Sequence, residues 1–393
     1  MVQAASLFNQ LPQHFPRTEF ASLVREHRAE RDAKGFTGWR QFVAMTFCQL
    51  AHADSLREIG NGLACGEGKL LHLGVTTAPN KSTLSYANQH RPAALFEDLF
   101  YTSLNRFRQE QGMGARKARF RFKNKLLSLD STTISLCLDL FPWAKFRRAK
   151  GGVKAHVLLD HDDYLPSYVL ITEAQQSDVR VAQSLDLNAG SIVAFDRGYN
   201  DYTLFGKWTE RGVFFVTRLK ENAAYEVVQS ATRPLPRHIL ADEIIRFTGD
   251  QAAKNCPHPL RRVVVWDELH QREIVLLSNL LHFGATTIAA IYKDRWEIEL
   301  FFKALQQNLK VKSFVGTSRN ALLIQIWTAL IAMLAAEVAA PPLQGQMVLV
   351  QPGLEAAPEP VHLPGSPQVA GESLRDPAPS LVPLPEQLTL NLG

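Results

Sequence analysis

Three acidic residues stand where ionised side chains are costly. Asp130 lies inside "LSLDSTT", Asp196 closes the apolar run "SIVAFD", and Glu299 falls in "YKDRWEIELFFK". A carboxylate among apolar neighbours needs a counter-charge or a cation. Taken alone, Asp196 reads equally well as the start of a turn. Read as one helix, the last stretch puts Tyr292, Arg295, Glu299 and Lys303 on a single stripe, because residues three and four apart are neighbours. Glu297 falls on another face, and Phe301 and Phe302 anchor the helix in a core. Three carboxylates gathered at one point would repel unless a divalent cation neutralised them. Hard oxygen ligands favour Mg²⁺ or Mn²⁺. Two such ions about 4 Å apart would activate a water or a 3′-hydroxyl and stabilise the leaving oxygen of an in-line phosphoryl displacement.

The elements that must position these residues change in texture along the chain. The first ~115 residues predict helices, with apolar residues at three-and-four spacing in "FASLVREHRAERDA", "GWRQFVAMTFCQLAHA" and "PAALFEDLFYTSLNRFRQEQ". Ser55 before "LREIGNGL" predicts a cap, and Asn80-Lys81-Ser82 predicts another helix start. Short helices with arginines between them suit a DNA-binding module or a plain bundle. From Lys125 onward "KLLSLDSTTISL", "VKAHVLLD" and "YLPSYVLITEA" predict three consecutive strands. Helix "DVRVAQSLDL", strand "SIVAFDRGY", helix "YTLFGKWTERG" and strand "GVFFVTRLK" follow. This order predicts a mixed α/β sheet flanked by helices, as in the ribonuclease H-like fold. In such a sheet the first strand, which contains Asp130, and the fourth, which Asp196 ends, are adjacent, so the two carboxylates can converge. Residues 221–283 predict a β-rich insertion, and the glutamate helix comes after it. The resulting division is a helical domain (1–115), a first core segment (116–220), the insertion (221–283), a second core segment (284–336) and a tail (337–393).

Composition narrows the partners. The chain has 393 residues, 46% hydrophobic, with a formal charge of +5. From Arg116 to Lys154 there are eleven Lys and Arg against two acids, a local basic field suited to a polyanion. The four cysteines are scattered without C-x-x-C spacing, which argues against a structural zinc site and a disulfide framework and fits a reducing cytosol best. The N-terminus lacks a signal-peptide layout. The apolar stretch "ALLIQIWTALIAMLAAEVAA" is interrupted by Gln325 and Glu337 and reads as a buried helix, not a membrane span. Eleven of the 21 prolines lie past Ala340, where a disordered tail is expected.

Three blocks in order carry a resemblance. "LSLDSTTISLCLDLFPWAKFRRAKGGVKAHVLLD", "AFDRGYNDY" and "YKDRWEIELFFK" resemble the DDE transposases of bacterial insertion sequences, of the insertion-sequence-four type with its Tyr-x2-Arg-x3-Glu signature. The resemblance runs from about Leu126 to Ala335. It implies that Asp130, Asp196 and Glu299 hold two Mg²⁺ or Mn²⁺ ions, and that Tyr292 and Arg295 hold phosphates near the cut. It implies that Trp296 and Trp266 stack on a displaced base, although core packing is the plainer reading of both. Lys145, Arg147, Arg148, Lys150 and Lys154, with Lys303, would track the DNA backbone. His156 reads as a satisfied core histidine beside the metals. The implied partners are double-stranded DNA, both terminal repeats and target, and a second copy in the DNA complex, with no membrane. The implied location is the bacterial cytoplasm at the nucleoid. Two departures stand out. Gln306 occupies the position of the family's lysine, with Lys303 or Lys310 one turn away as substitutes. The proline-rich tail replaces a helical C-terminal part, as a frameshifted or decayed copy would. A catalytically decayed DNA-binding remnant and a ribonuclease H-like nuclease without joining activity are the alternative readings.

Overall fold

The computed structural model describes residues 8–339 apart from 9, 32, 67, 69, 111–118, 138, 148–149, 233 and 310–313. The N-terminal helices are α1 (Arg17–Glu26), α2 (Gly38–Leu50), α3 (Leu56–Ala64), α4 (Lys81–His90) and α5 (Ala94–Glu110). Side chains satisfy orphan amides at the starts of α2, α3 and α4. Ser55 accepts from the Glu58 amide at 3.2 Å and Asn80 from the Thr83 amide at 2.8 Å, as the sequence predicts. Glu58 returns the bond by accepting from the Asp54 amide at 2.8 Å, a variant of the reciprocal capping box. Thr37 caps α2 in the same way.

The strands form one ten-stranded sheet. They are β1 (Leu126–Leu136), β2 (Lys145–Arg147), β3 (Lys150–Asp160), β4 (Pro166–Glu173), β5 (Ile192–Phe195), β6 (Phe214–Arg218), β7 (Tyr225–Ser230), β8 (Ile239–Phe247), β9 (Leu260–Asp267) and β10 (Arg272–Ser278). β2 is absent from the sequence reading. The spatial order is β2-β3-β1-β5-β6-β10-β9-β8-β7, and β4 also pairs with β3. β1 is antiparallel to β3 and parallel to β5, and β6 is parallel to β5. The stretch read as an insertion is β-rich, and β10 joins it to the same sheet by pairing antiparallel to β6, Leu276 opposite Arg218.

The helices α6 (Asp178–Ser184), α7 (Tyr202–Glu210), α8 (Asp250–Asn255), α9 (Ala285–Asp294), α10 (Glu297–Leu309) and α11 (Arg319–Ala339) complete the described fold. Period-two alternation sends Leu127 and Leu129 of β1 to one face, where they pack with Phe195, Phe205, Trp208 and Phe215. On the other face Leu126 packs with Ile288 and Ile291 of α9. Further along that face Ile134 packs with Ile298, Phe301 and Leu305 of α10, with α11 and with the N-terminal helices. α11 is the described helix long and apolar enough to cross a bilayer, and 72% of its apolar window is buried inside the protein. It is therefore a core helix. Its polar interruption is satisfied: the Gln325 side chain accepts from the Val315 amide at 3.0 Å. The helix continues through Glu337 to Ala339, past the composition break. The proline-rich tail beyond it lies outside the described residues.

Candidate active site

One polar strip interrupts the apolar face of β1. Between Leu126 and Ile134, the residues on that face are Ser128, Asp130 and Thr132. Each meets a polar partner. The Ser128 hydroxyl lies 2.7 Å from His161 Nε2, and His161 Nδ1 lies 2.7 Å from Asp294 Oδ2 at the end of α9. Asp130 Oδ2 accepts from Arg295 Nη1 at 3.3 Å. Thr132 Oγ1 accepts from Gln306 Nε2 at 2.7 Å. The strip thus meets, in succession, the end of α9 through His161, the turn after α9, and the later part of α10.

That junction departs from the sequence expectation of one continuous helix. α9 ends at Asp294, Arg295 and Trp296 form a turn, and α10 begins at Glu297. The Ile298 amide donates back only three residues, to the Arg295 carbonyl at 3.1 Å. Such tightening interrupts the regular helical ladder without proline or glycine. Arg295 Nη2 still reaches Glu299 Oε1 at 3.0 Å. One guanidinium therefore bridges the β1 carboxylate and the α10 carboxylate. It also sits over the Tyr292 ring, 5.6 Å from its centroid. Asp196 follows β5, whose Phe195 is in register with Leu129, so Asp130 within β1 and Asp196 just past the end of β5 stand level on neighbouring parallel strands. The Tyr292 hydroxyl is 3.5 Å from Asp196 Oδ1.

Charge and burial compete here. Burial pushes the Asp130 carboxyl up to about 6. The Ser131 amide and the Arg295 charge oppose that shift, while Glu299 and Asp196 add to it. Burial works against the Arg295 cation, yet Tyr292, Asp130 and Glu299 together raise its pKa. Burial likewise raises the Tyr292 phenol. The donors are all oxygen, and Asp130 is a buried carboxylate whose burial outweighs its one counter-charge and its amide bond. Asp130, Glu299 and Asp196 thus fit a hard divalent cation by donor chemistry and by charge. The expected ligand cluster is nevertheless not assembled. Among the described residues no three His, Cys, Asp or Glu side chains stand close enough to hold a metal. The Arg295 guanidinium is shared between two of the carboxylates instead.

The other predicted contacts divide. Trp296 is 57% exposed beside the carboxylates, and Lys303 is exposed one turn beyond Glu299. Trp266 is half-buried on β9, four strands from β1 in the sheet order and so roughly 19 Å away. Lys145 and Arg147 lie on β2 and Lys150 opens β3. Arg148 and Lys310 fall outside the described residues. Lys154 is paired with Asp178 at 3.2 Å, on the opposite sheet face from Asp130. His156 is fully buried on that opposite face, 3.0 Å from the Thr172 hydroxyl and 3.3 Å from Asp178. Burial raises Asp178, but bonds from His156 and Ser131 and the Lys154 charge outweigh it and hold the carboxyl down at about 2. Sequence reasoning missed Ser128, His161, Asp294 and Arg119. The available signal was the acid in "KDRW", one residue before the predicted phosphate-binding arginine.

Comparison with known proteins matches the sequence to a family. The model described as transposase DDE domain matches residues 121–335, which contain all three carboxylates. Residues 3–76 match a domain of unknown function (DUF4372). The chain belongs to the DDE-domain transposases. Among its relatives is a putative transposase, y4zB, of Sinorhizobium fredii, 34% identical over 67% of this chain and 72% of that protein. A probable transposase for insertion sequence element IS5377 of Geobacillus stearothermophilus is 33% identical over 54% of this chain and 56% of that one. A putative transposase for insertion sequence element IS4SA of Synechocystis is 24% identical over 64% and 70%.

Proposed function

We propose that this transposase cuts and joins DNA by divalent-metal-dependent phosphoryl transfer on a ribonuclease H-like core. The observation that carries the reading is the meeting of Asp130 and Glu299, from a strand and a distant helix, on one guanidinium beside Asp196. The sheet order supports the fold assignment: an antiparallel β4-β3-β1 followed by parallel β5 and β6 is the arrangement expected of that core. Asp130, Asp196 and Glu299 would hold two Mg²⁺ or Mn²⁺ ions. When bound, these supply activation of the attacking water or 3′-hydroxyl and neutralise charge on the phosphoryl group.

The chain's own residues position the DNA. Arg295 exchanges its carboxylate partners for phosphate oxygens, which its planar fork grips in two places. The Tyr292 hydroxyl orients the same phosphate. Trp296 offers an exposed ring to an unpaired base, and Lys303 adds charge along the backbone. Residues 1–115 supply further contacts to element ends. The partners are terminal-repeat and target DNA and a second copy of the chain, in the cytoplasm at the nucleoid.

The test uses the full chain, Mg²⁺, and duplexes carrying the repeats that flank its gene. Wild type should nick the repeat end and yield joined products. Glu299→Gln should lose at least about 100-fold in rate while shifting the duplex equally in a gel. Equal cleavage by both would remove Glu299 from the mechanism. Cutting without joining identifies a nuclease, and a shift without cutting identifies a DNA-binding remnant.

A further inference from the structure

Ser128, His161 and Asp294 stand in the atomic order of a hydrolase triad: hydroxyl, imidazole, carboxylate, with both links at 2.7 Å. They cannot serve as one. Ser128 is 0% exposed within β1, so no substrate reaches its oxygen. The chain instead joins three elements. Ser128 sits two residues before Asp130, His161 opens the turn between β3 and β4, and Asp294 ends α9 one residue before Arg295. Asp294 is itself 2% exposed, and its other oxygen accepts from the Arg119 guanidinium. Because the Asp294 carboxylate only accepts, Nδ1 of His161 carries the proton and Nε2 accepts from the Ser128 hydroxyl. Burial and the nearby Arg119 charge lower His161 to about 4, consistent with a neutral ring.

We propose that Ser128, His161 and Asp294 are positioning residues. They form a buried tether that fixes the α9–α10 turn, with Arg295 and Glu299, against the strand that carries Asp130. Both ends of the Asp130–Arg295–Glu299 contact are then held by one hydrogen-bonded chain. Catalytic groups need placement within a fraction of an ångström, and a 1 Å error costs on the order of 100-fold in rate. For its effect on turnover the inference rests on the proposed cleavage reaction; for its effect on geometry it does not.

The test compares the full-length wild type with Ser128→Ala, Ser128→Thr, Ser128→Val, Asp130→Asn and a core control on the opposite sheet face, Phe215→Leu. Hydrogen exchange of the 292–300 amides reads the turn directly, and nicking of supercoiled plasmid in Mn²⁺ reads turnover. Ser128→Ala should exchange at 292–300 about 10-fold faster than Phe215→Leu does. Its kcat should fall about 10- to 100-fold while its KM for plasmid stays within about 2-fold. Threonine and valine have the same shape, so only the threonine variant should restore protection and rate. Unchanged exchange in Ser128→Ala, equal loosening in Phe215→Leu, or equal behaviour of threonine and valine would overturn the tether. If wild type nicks no faster than Asp130→Asn, the cleavage reading fails, and the exchange data still decide the tether.

Discussion

Asp130 carries the sharpest conflict at the scale of single residues. Its carboxyl titrates near 6 in the folded chain against an ordinary value of 3.8, chiefly through burial. Between those values the folded state binds more protons than the unfolded state, so stability falls as pH rises through that window. In EDTA, Asp130→Asn should therefore be more stable than wild type at pH 7.5, by on the order of 1–3 kcal/mol. The gain should vanish near pH 3.5, and urea unfolding at the two pH values checks it. Mn²⁺ should then stabilise wild type more than the variant, because only wild type keeps the full ligand set. Gln306 donates to Thr132, a neutral bond at the position where the sequence resemblance implies a lysine. Gln306→Lys should steepen the salt dependence of DNA binding by about one counterion, as a titration at several salt concentrations would show. The three carboxylates stood out in the sequence as candidates because ionised groups beside apolar strand residues demand an explanation. Asp294 was not, since its meaning comes from His161 and Arg119, residues remote in sequence.

At the scale of elements the turn at Arg295–Trp296 decides what faces outward. It leaves the Trp296 ring 57% exposed while Ile298 and Phe301 stay buried. Trp296→Ala should change unfolding stability by less than about 0.5 kcal/mol. It should weaken binding to DNA with unpaired ends by about 1–3 kcal/mol, and fully paired duplex by much less. Fluorescence anisotropy with the two probes separates these outcomes; equal losses would place the ring in packing. The strands were legible because β-branched and apolar runs with turn residues between them leave little choice. The turn was not legible. It contains neither proline nor glycine, and the contacts that hold Asp294 and Arg295 there, to His161 and to Asp130, are remote in sequence, so no local pattern encodes them. The short β2 escaped for a similar reason: it exists by pairing with β3.

At the scale of the whole molecule, the N-terminal helices share one apolar cluster with α10, α11 and a face of the sheet. α2 and α11 also meet through Gln49, whose side-chain amide donates to the Gln325 carbonyl at 3.2 Å. Asn320 of α11 donates to the Asn88 and Arg91 carbonyls at 2.8 and 2.6 Å. The segment 121–335 expressed alone should therefore aggregate, because removing α1–α5 bares the buried face of α11. Size-exclusion chromatography of the segment against the full chain checks this; a monodisperse segment would show that the helices are dispensable for folding. Periodicity revealed these helices and this apolar segment but not their union, because contacts between residue 49 and residue 325 leave no local trace. The same long-range union has a consequence for synthesis. The helical half cannot seal its interior until the ribosome has delivered residues 319–339, so its closure is late and slow. A message broken before that point yields a chain with an open interior, which meets proteases before it can compete for DNA.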